Sequence, residues 1–132
     1  MENMSIKVLL INKEYNYLDY MSRHLRKFEC IPYEAVNGEE ALELSINNNF
    51  DVAVIDNNLP YMEVCDVFNE LKKLQPHVQA IFLFDKEKIA DSVLESCSSS
   101  PFDYLMKPFD FMSLVQKIVA AYELRVEVLA SF

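Results

Sequence analysis

Phe50-Asp51-Val52-Ala53-Val54-Ile55-Asp56-Asn57-Asn58-Leu59-Pro60 decides the architecture. Val52 to Ile55 form an unbroken apolar run, too short for a helix and without polar alternation, so they predict a strand buried on both faces. The run stops at an acid, Asp56. A polar loop closed by Pro60 follows, and then Val64, Val67, Phe68 and Leu71 recur at the spacing of one helix face. A strand covered on both sides needs helices above and below its sheet, which implies an α/β domain.

The same unit recurs on either side. Ile6 to Ile11 read as a buried strand ending at Asn12, followed by helical spacing over Glu14 to Phe28 (Leu18, Met21, Leu25, Phe28). Cys30 to Tyr33 form a brief second strand, with Pro32 placing it at a sheet edge. Asn37-Gly38 turns into a helix over Glu39 to Asn48. Ala80 to Phe84 is a fourth strand. Asp85 is then expected to cap a helix carrying Ile89, Val93, Leu94 and Cys97 on one face. A fifth strand lies around Tyr104-Leu105-Met106, and Asp110 caps a last helix of about 110–130. Five strand–helix units with short connections predict an open, doubly wound parallel sheet forming a single domain over 1–132. Reactive groups in such sheets gather at the carboxyl ends of the strands, where Asn12, Lys13, Asp56, Phe84 and Lys107 fall.

Composition narrows the function. Twelve basic against 21 acidic residues give a net charge of −9, which excludes a nucleic-acid surface built on clustered cations. The single glycine, Gly38, excludes glycine-rich phosphate loops and dinucleotide fingerprints. No run is long enough to span a membrane and no signal-peptide pattern opens the chain, so a cytoplasmic protein is expected. Cys30, Cys65 and Cys97 are widely spaced and are expected to be reduced and mostly buried. His24 and His77 read as surface residues.

Lys7-Val8-Leu9-Leu10-Ile11, Asn37-Gly38-Glu39-Glu40-Ala41-Leu42-Glu43, Asp56-x-x-Leu59-Pro60-Tyr61-Met62 and Asp103-Tyr104-Leu105-Met106-Lys107-Pro108-Phe109 resemble a response-regulator receiver domain over nearly the whole length. The resemblance implies a flavodoxin-like sheet of strand order 2-1-3-4-5, an order that general accounts of such folds illustrate with a member of this family. It also implies two-component phosphorelay signalling, in which a histidine kinase passes a phosphoryl group to an aspartate. The phosphoacceptor position falls on Asp56 and the family's phosphate-binding lysine on Lys107. The two acids that hold Mg²⁺ are replaced by Asn12 and Lys13, and Asn58 supplies only neutral oxygen near that site. The hydroxyl residue ending the fourth strand is replaced by Phe84. The aromatic that rotates on activation matches Tyr104. Val64 stands where a glycine is usual and disfavours a positive φ there.

These replacements alter the chemistry. Phosphoryl transfer is positioning plus neutralisation of charge on the transferred group. Mg²⁺ prefers octahedral oxygen ligands that include carboxylates. With Asn12 and Lys13 in the acid positions, no cofactor is expected and Mg²⁺ binding is expected to be lost. Lys107 is expected to pair with Asp56, and Lys13 either pairs with it too or is solvated. Phe84 should fill the space into which Tyr104 would turn. The reading is a degenerate receiver, not an enzyme, acting through contact with a histidine kinase or another signalling protein. The alternative is a receiver still phosphorylated on Asp56. A metal-free enzyme at the same strand ends lacks a nucleophile–base pair. Phe111, Leu114, Val115, Ile118, Val119, Tyr122, Val126 and Leu129 form a stripe wider than one sheet face requires, so a homodimer through the fourth- and fifth-helix face is expected.

Overall fold

The computed structural model describes residues 5–132, so four residues of the domain expected over 1–132 lie outside the described ones. Five parallel strands stand in the order β2-β1-β3-β4-β5, the order the family resemblance implies. They are β1 Ile6–Ile11, β2 Cys30–Ala35, β3 Val52–Asp56, β4 Gln79–Phe84 and β5 Asp103–Met106. The helices are α1 Tyr15–Leu25, α2 Gly38–Asn47, α3 Val64–Leu74, α4 Glu87–Ser96 and α5 Phe111–Ala130, with a 3-10 turn, Arg26–Phe28, after α1.

Side chains alternate across a strand, so each central strand feeds two cores. Leu9, Ile11, Ala53, Ile55, Ala80, Phe82 and Phe84 face α2, α3 and α4, where they meet Ala41, Val64, Val67, Phe68, Leu71 and Ala90. Ile6, Val8, Leu10, Val52, Val54, Ile81 and Leu83 face α1 and α5, against Leu18, Met21, Leu25, Leu114, Val115 and Ile118. Pro32 pairs with Val8 on the outer strand β2, where its missing N–H costs no internal ladder bond. The Cβ of an alanine at position 38 would lie 2.7 Å from Val67 Cγ2 and 2.9 Å from Met62 Sδ. The lone glycine is thus the residue that lets α2 close onto α3.

Two local expectations fail. The N-cap of α4 is Lys86, with no side-chain cap, because Asp85 is turned towards Lys107 instead. Ile89 is exposed, and Ala90 is the only buried residue of α4, so that helix rests on the sheet by a thin contact. Asp110 does cap α5, accepting from the Met112 N–H at 3.3 Å. Val64 opens α3 without difficulty. The positive φ in that loop falls on Tyr61, at 70°.

Candidate functional site

The carboxyl ends of β1, β3 and β5 converge on Asp56, which closes β3 and is buried. Its Oδ1 accepts the backbone N–H of Asn58 at 2.8 Å, a turn the polar Asn57-Asn58 pair favours. Its Oδ2 accepts from Asn12 Nδ2 at 3.0 Å and from Lys107 Nζ in a short ion pair. Asn12 is buried, and its own Oδ1 accepts the Glu14 N–H at 2.9 Å. Both oxygens of Asp56 and both polar atoms of the Asn12 amide are therefore occupied by protein groups.

Lys107 follows β5, and its backbone N–H is held by the Phe84 carbonyl at 2.8 Å. Its ammonium also lies 3.5 Å from Asp85 Oδ1 and 5.6 Å from the centre of the Tyr17 ring. Burial opposes the charge on Lys107, but the hydrogen bond and the charge of Asp56 outweigh it, so its pKa is raised. The Tyr17 hydroxyl is likewise pushed up, first by burial and then by Asp56, Tyr20 and Asp85, with Lys107 opposing. Phe84 is fully buried and meets half-buried Tyr104 edge to face, centroids 5.8 Å apart.

Sequence reasoning placed Asp56, Lys107, Asn12, Asn58, Phe84 and Tyr104 at this end of the sheet, and the fold brings them together. Lys13 is the exception. It is exposed and forms no ion pair with Asp56 among the described residues, because successive side chains leaving a strand point in opposite directions. Asn12, not Lys13, turns inward. Tyr17 and Asp85 are additions whose role depends on α1 and the β4–α4 loop folding over the strand ends. His24 is half-buried rather than a plain surface residue, its ring 4.2 Å from Tyr20 and 5.5 Å from Phe111.

Two of the cysteines depart from expectation, whereas Cys30 meets it. Cys30 is free and buried, and its thiol pKa is pushed up to about 11, first by burial and then by Glu29. Cys65 and Cys97 are partly exposed and joined by a disulfide between α3 and the end of α4. A separation of 32 residues conceals that neighbourhood from any reading along the chain.

Residues 8–119 match the response regulator receiver domain family. The chain therefore belongs to that family, a class of two-component signalling domains. It is 28% identical over 115 residues to the heme response regulator HssR of Staphylococcus haemolyticus, covering 87% of this chain and 50% of that protein. It is 29% identical over 118 residues to the transcriptional regulatory protein SrrA of Staphylococcus aureus, covering 89% of this chain and 48% of that one. It thus spans about half the length of these relatives. Among solved structures, a response regulator receiver domain protein from Clostridium thermocellum superposes with a TM-score of 0.82 at 27% identity, over 94% of this chain and 98% of that one.

Proposed function

We propose that this receiver domain signals through protein–protein contact from a pocket that its own side chains hold closed, without metal-dependent phosphorylation. The observation that carries the reading is that protein groups engage both carboxylate oxygens of Asp56. Lys107 supplies the positive charge and Asn12 the hydrogen bond, while Asn58 takes the second oxygen. The residues present do not fit Mg²⁺. Asn12 presents an amide N–H₂ to Asp56, its oxygen is committed to Glu14, and Lys13, exposed, offers no oxygen ligand. No group of three His, Cys, Asp or Glu suited to a metal occurs among the described residues. Phe84 offers no hydroxyl to a phosphoryl oxygen, and its buried ring lies edge to face against Tyr104. The domain therefore holds its pocket without a phosphoryl group, has no catalytic role, works in the cytoplasm and meets a histidine kinase or another signalling protein. Titration with Mg²⁺ to millimolar levels should leave the amide shifts of Asn12, Asp56 and Asn58 unchanged. Saturable shifts at those residues would sink the reading.

The partner surface includes a second copy of the chain. The first half of α5 buries Leu114, Val115 and Ile118, whereas its last turns expose Leu124, Val126 and Leu129. Arg125 is anchored on Asp51 at 2.9 Å, which holds these last turns of α5 against the domain while Leu124, Val126 and Leu129 stay exposed. Val126→Glu with Leu129→Glu should preserve the fold and convert a dimer to a monomer by light scattering. A wild type that is monomeric at high concentration would refute dimerisation through α5.

A further inference from the structure

We propose that Cys65 and Cys97 form a reversible oxidation site, whose thiol or disulfide state sets how firmly α4 is held and so gives the domain an input other than phosphorylation. Their Cα atoms are 5.3 Å apart, within the range a disulfide bridges without backbone movement, and both residues are partly exposed. A small oxidant or thiol can therefore reach them. Cys30, by contrast, is buried and unpaired, with its thiolate disfavoured, so oxidation is directed to the other two.

The bond joins an element that is well anchored to one that is not. α3 buries Val64, Val67, Phe68 and Leu71, whereas α4 buries Ala90 alone. Within α4 and its end, Val93, Leu94 and Cys97 lean only partly against the core. The covalent link to α3 is thus a major part of what fixes the carboxyl end of α4. In the reduced state a weaker tie is available, because Cys65 Sγ lies 3.6 Å from the Val93 carbonyl and a thiol there can donate to it. The segment after Cys97 runs through Ser98-Ser99-Ser100-Pro101 into β5, whose end carries Lys107. Loosening α4 therefore acts on the strand that bears the cation of the Asp56 pocket. In a reducing compartment a disulfide of this kind is transient and reports oxidation rather than supporting the fold.

The chemistry balances with a peroxide as oxidant. Cys65 lies in the first turn of α3, beside its backbone N–H groups and flanked by Glu63 and Asp66, whereas Cys97 follows the carboxyl end of α4, and we assign Cys65 as the attacking sulfur. The Cys65 thiolate attacks one peroxide oxygen, the O–O bond breaks, and a sulfenic acid and one water result. The Cys97 thiolate then displaces hydroxide from that sulfur, forming the S–S bond and a second water. Two thiols lose two electrons and two protons, and the peroxide takes both up. A low-molecular-weight thiol reverses the step by exchange.

The test uses the whole chain, fully reduced and then treated with hydrogen peroxide. Peptide mapping should find Cys65 linked to Cys97 with Cys30 still a thiol. Amide exchange across α4 should be roughly tenfold slower in the oxidised protein, with β1 and β3 unchanged. Cys97→Ser should abolish that difference and leave Cys65 as a sulfenic acid that dimedone labels. The proposal is overturned if peroxide forms no Cys65–Cys97 link, if α4 exchanges alike in both states, or if reduction loosens the whole sheet equally, which is the behaviour of a structural bridge. Absence of a dimedone adduct in Cys97→Ser overturns the assignment of Cys65 as the attacking sulfur. None of these results depends on whether Asp56 is phosphorylated, so the two readings fail separately.

Discussion

Lys107→Met lowers the stability of the domain by about 3 kcal/mol, roughly a 10 °C fall in melting temperature. Asp56 is buried, and removing its cation leaves a carboxylate held by Asn12 and Asn58 alone, with no opposite charge touching it. Breaking one side of a buried pair is costly because the remaining charge stays uncompensated, and the partial exposure of Lys107 places the loss towards the low end of the usual range. The companion variant Asp56→Asn with Lys107→Met should lose clearly less than Lys107→Met alone, since a neutral amide no longer needs the ammonium. The pH dependence follows from the raised pKa of Lys107. A cation stabilised in the folded state contributes fully at pH below its ordinary 10.5 and loses that contribution as pH rises through the higher folded value. The difference between wild type and Lys107→Met should therefore stay constant from neutral pH to about 10 and narrow only in stronger alkali. Equal stabilities of wild type and Lys107→Met at neutral pH, in urea titrations, would show that the pair does not hold the pocket.

The second large effect is the creation of a metal site. Asn12→Asp with Lys13→Asp places a carboxylate beside Asp56 and replaces the neighbouring cation with a second acid, and Mg²⁺ should then bind with saturable amide shifts. Asn12→Asp also removes the N–H₂ that now donates to Asp56, so this carboxylate gains a reason to turn towards a cation. Lys13→Asp alone should do little, because residue 13 points to solvent and the Asn12 amide still occupies Asp56. If Lys13→Asp alone confers binding comparable to the double variant, the Asn12 contact is not what excludes the ion.

The architecture was legible because each central strand is an unbroken apolar run and each helix carries its own spacing. Val52 to Ile55 could be nothing but a strand buried on both faces, and the end of that strand located Asp56. The convergence of Asp56, Lys107 and Phe84 likewise follows from their positions at strand ends. Direction was harder to read than position. Lys13 was a candidate partner because it neighbours Asn12, yet adjacent residues diverge as the chain leaves β1. Asp85 looked like a helix cap, since it precedes an amphipathic stretch. A competing charge on Lys107, contributed from another strand, draws it away. The Cys65–Cys97 neighbourhood depends on how α4 lies across α3, and no local pattern encodes that.

The most direct test of the closed pocket is chemical. The whole chain is incubated with acetyl phosphate and millimolar Mg²⁺, under reducing conditions, and its intact mass is followed with time. The account predicts an unmodified protein, because Lys107 and Asn12 occupy Asp56 and no carboxylate pair holds the metal. A phosphoryl adduct on wild type that Asp56→Asn abolishes would contradict it.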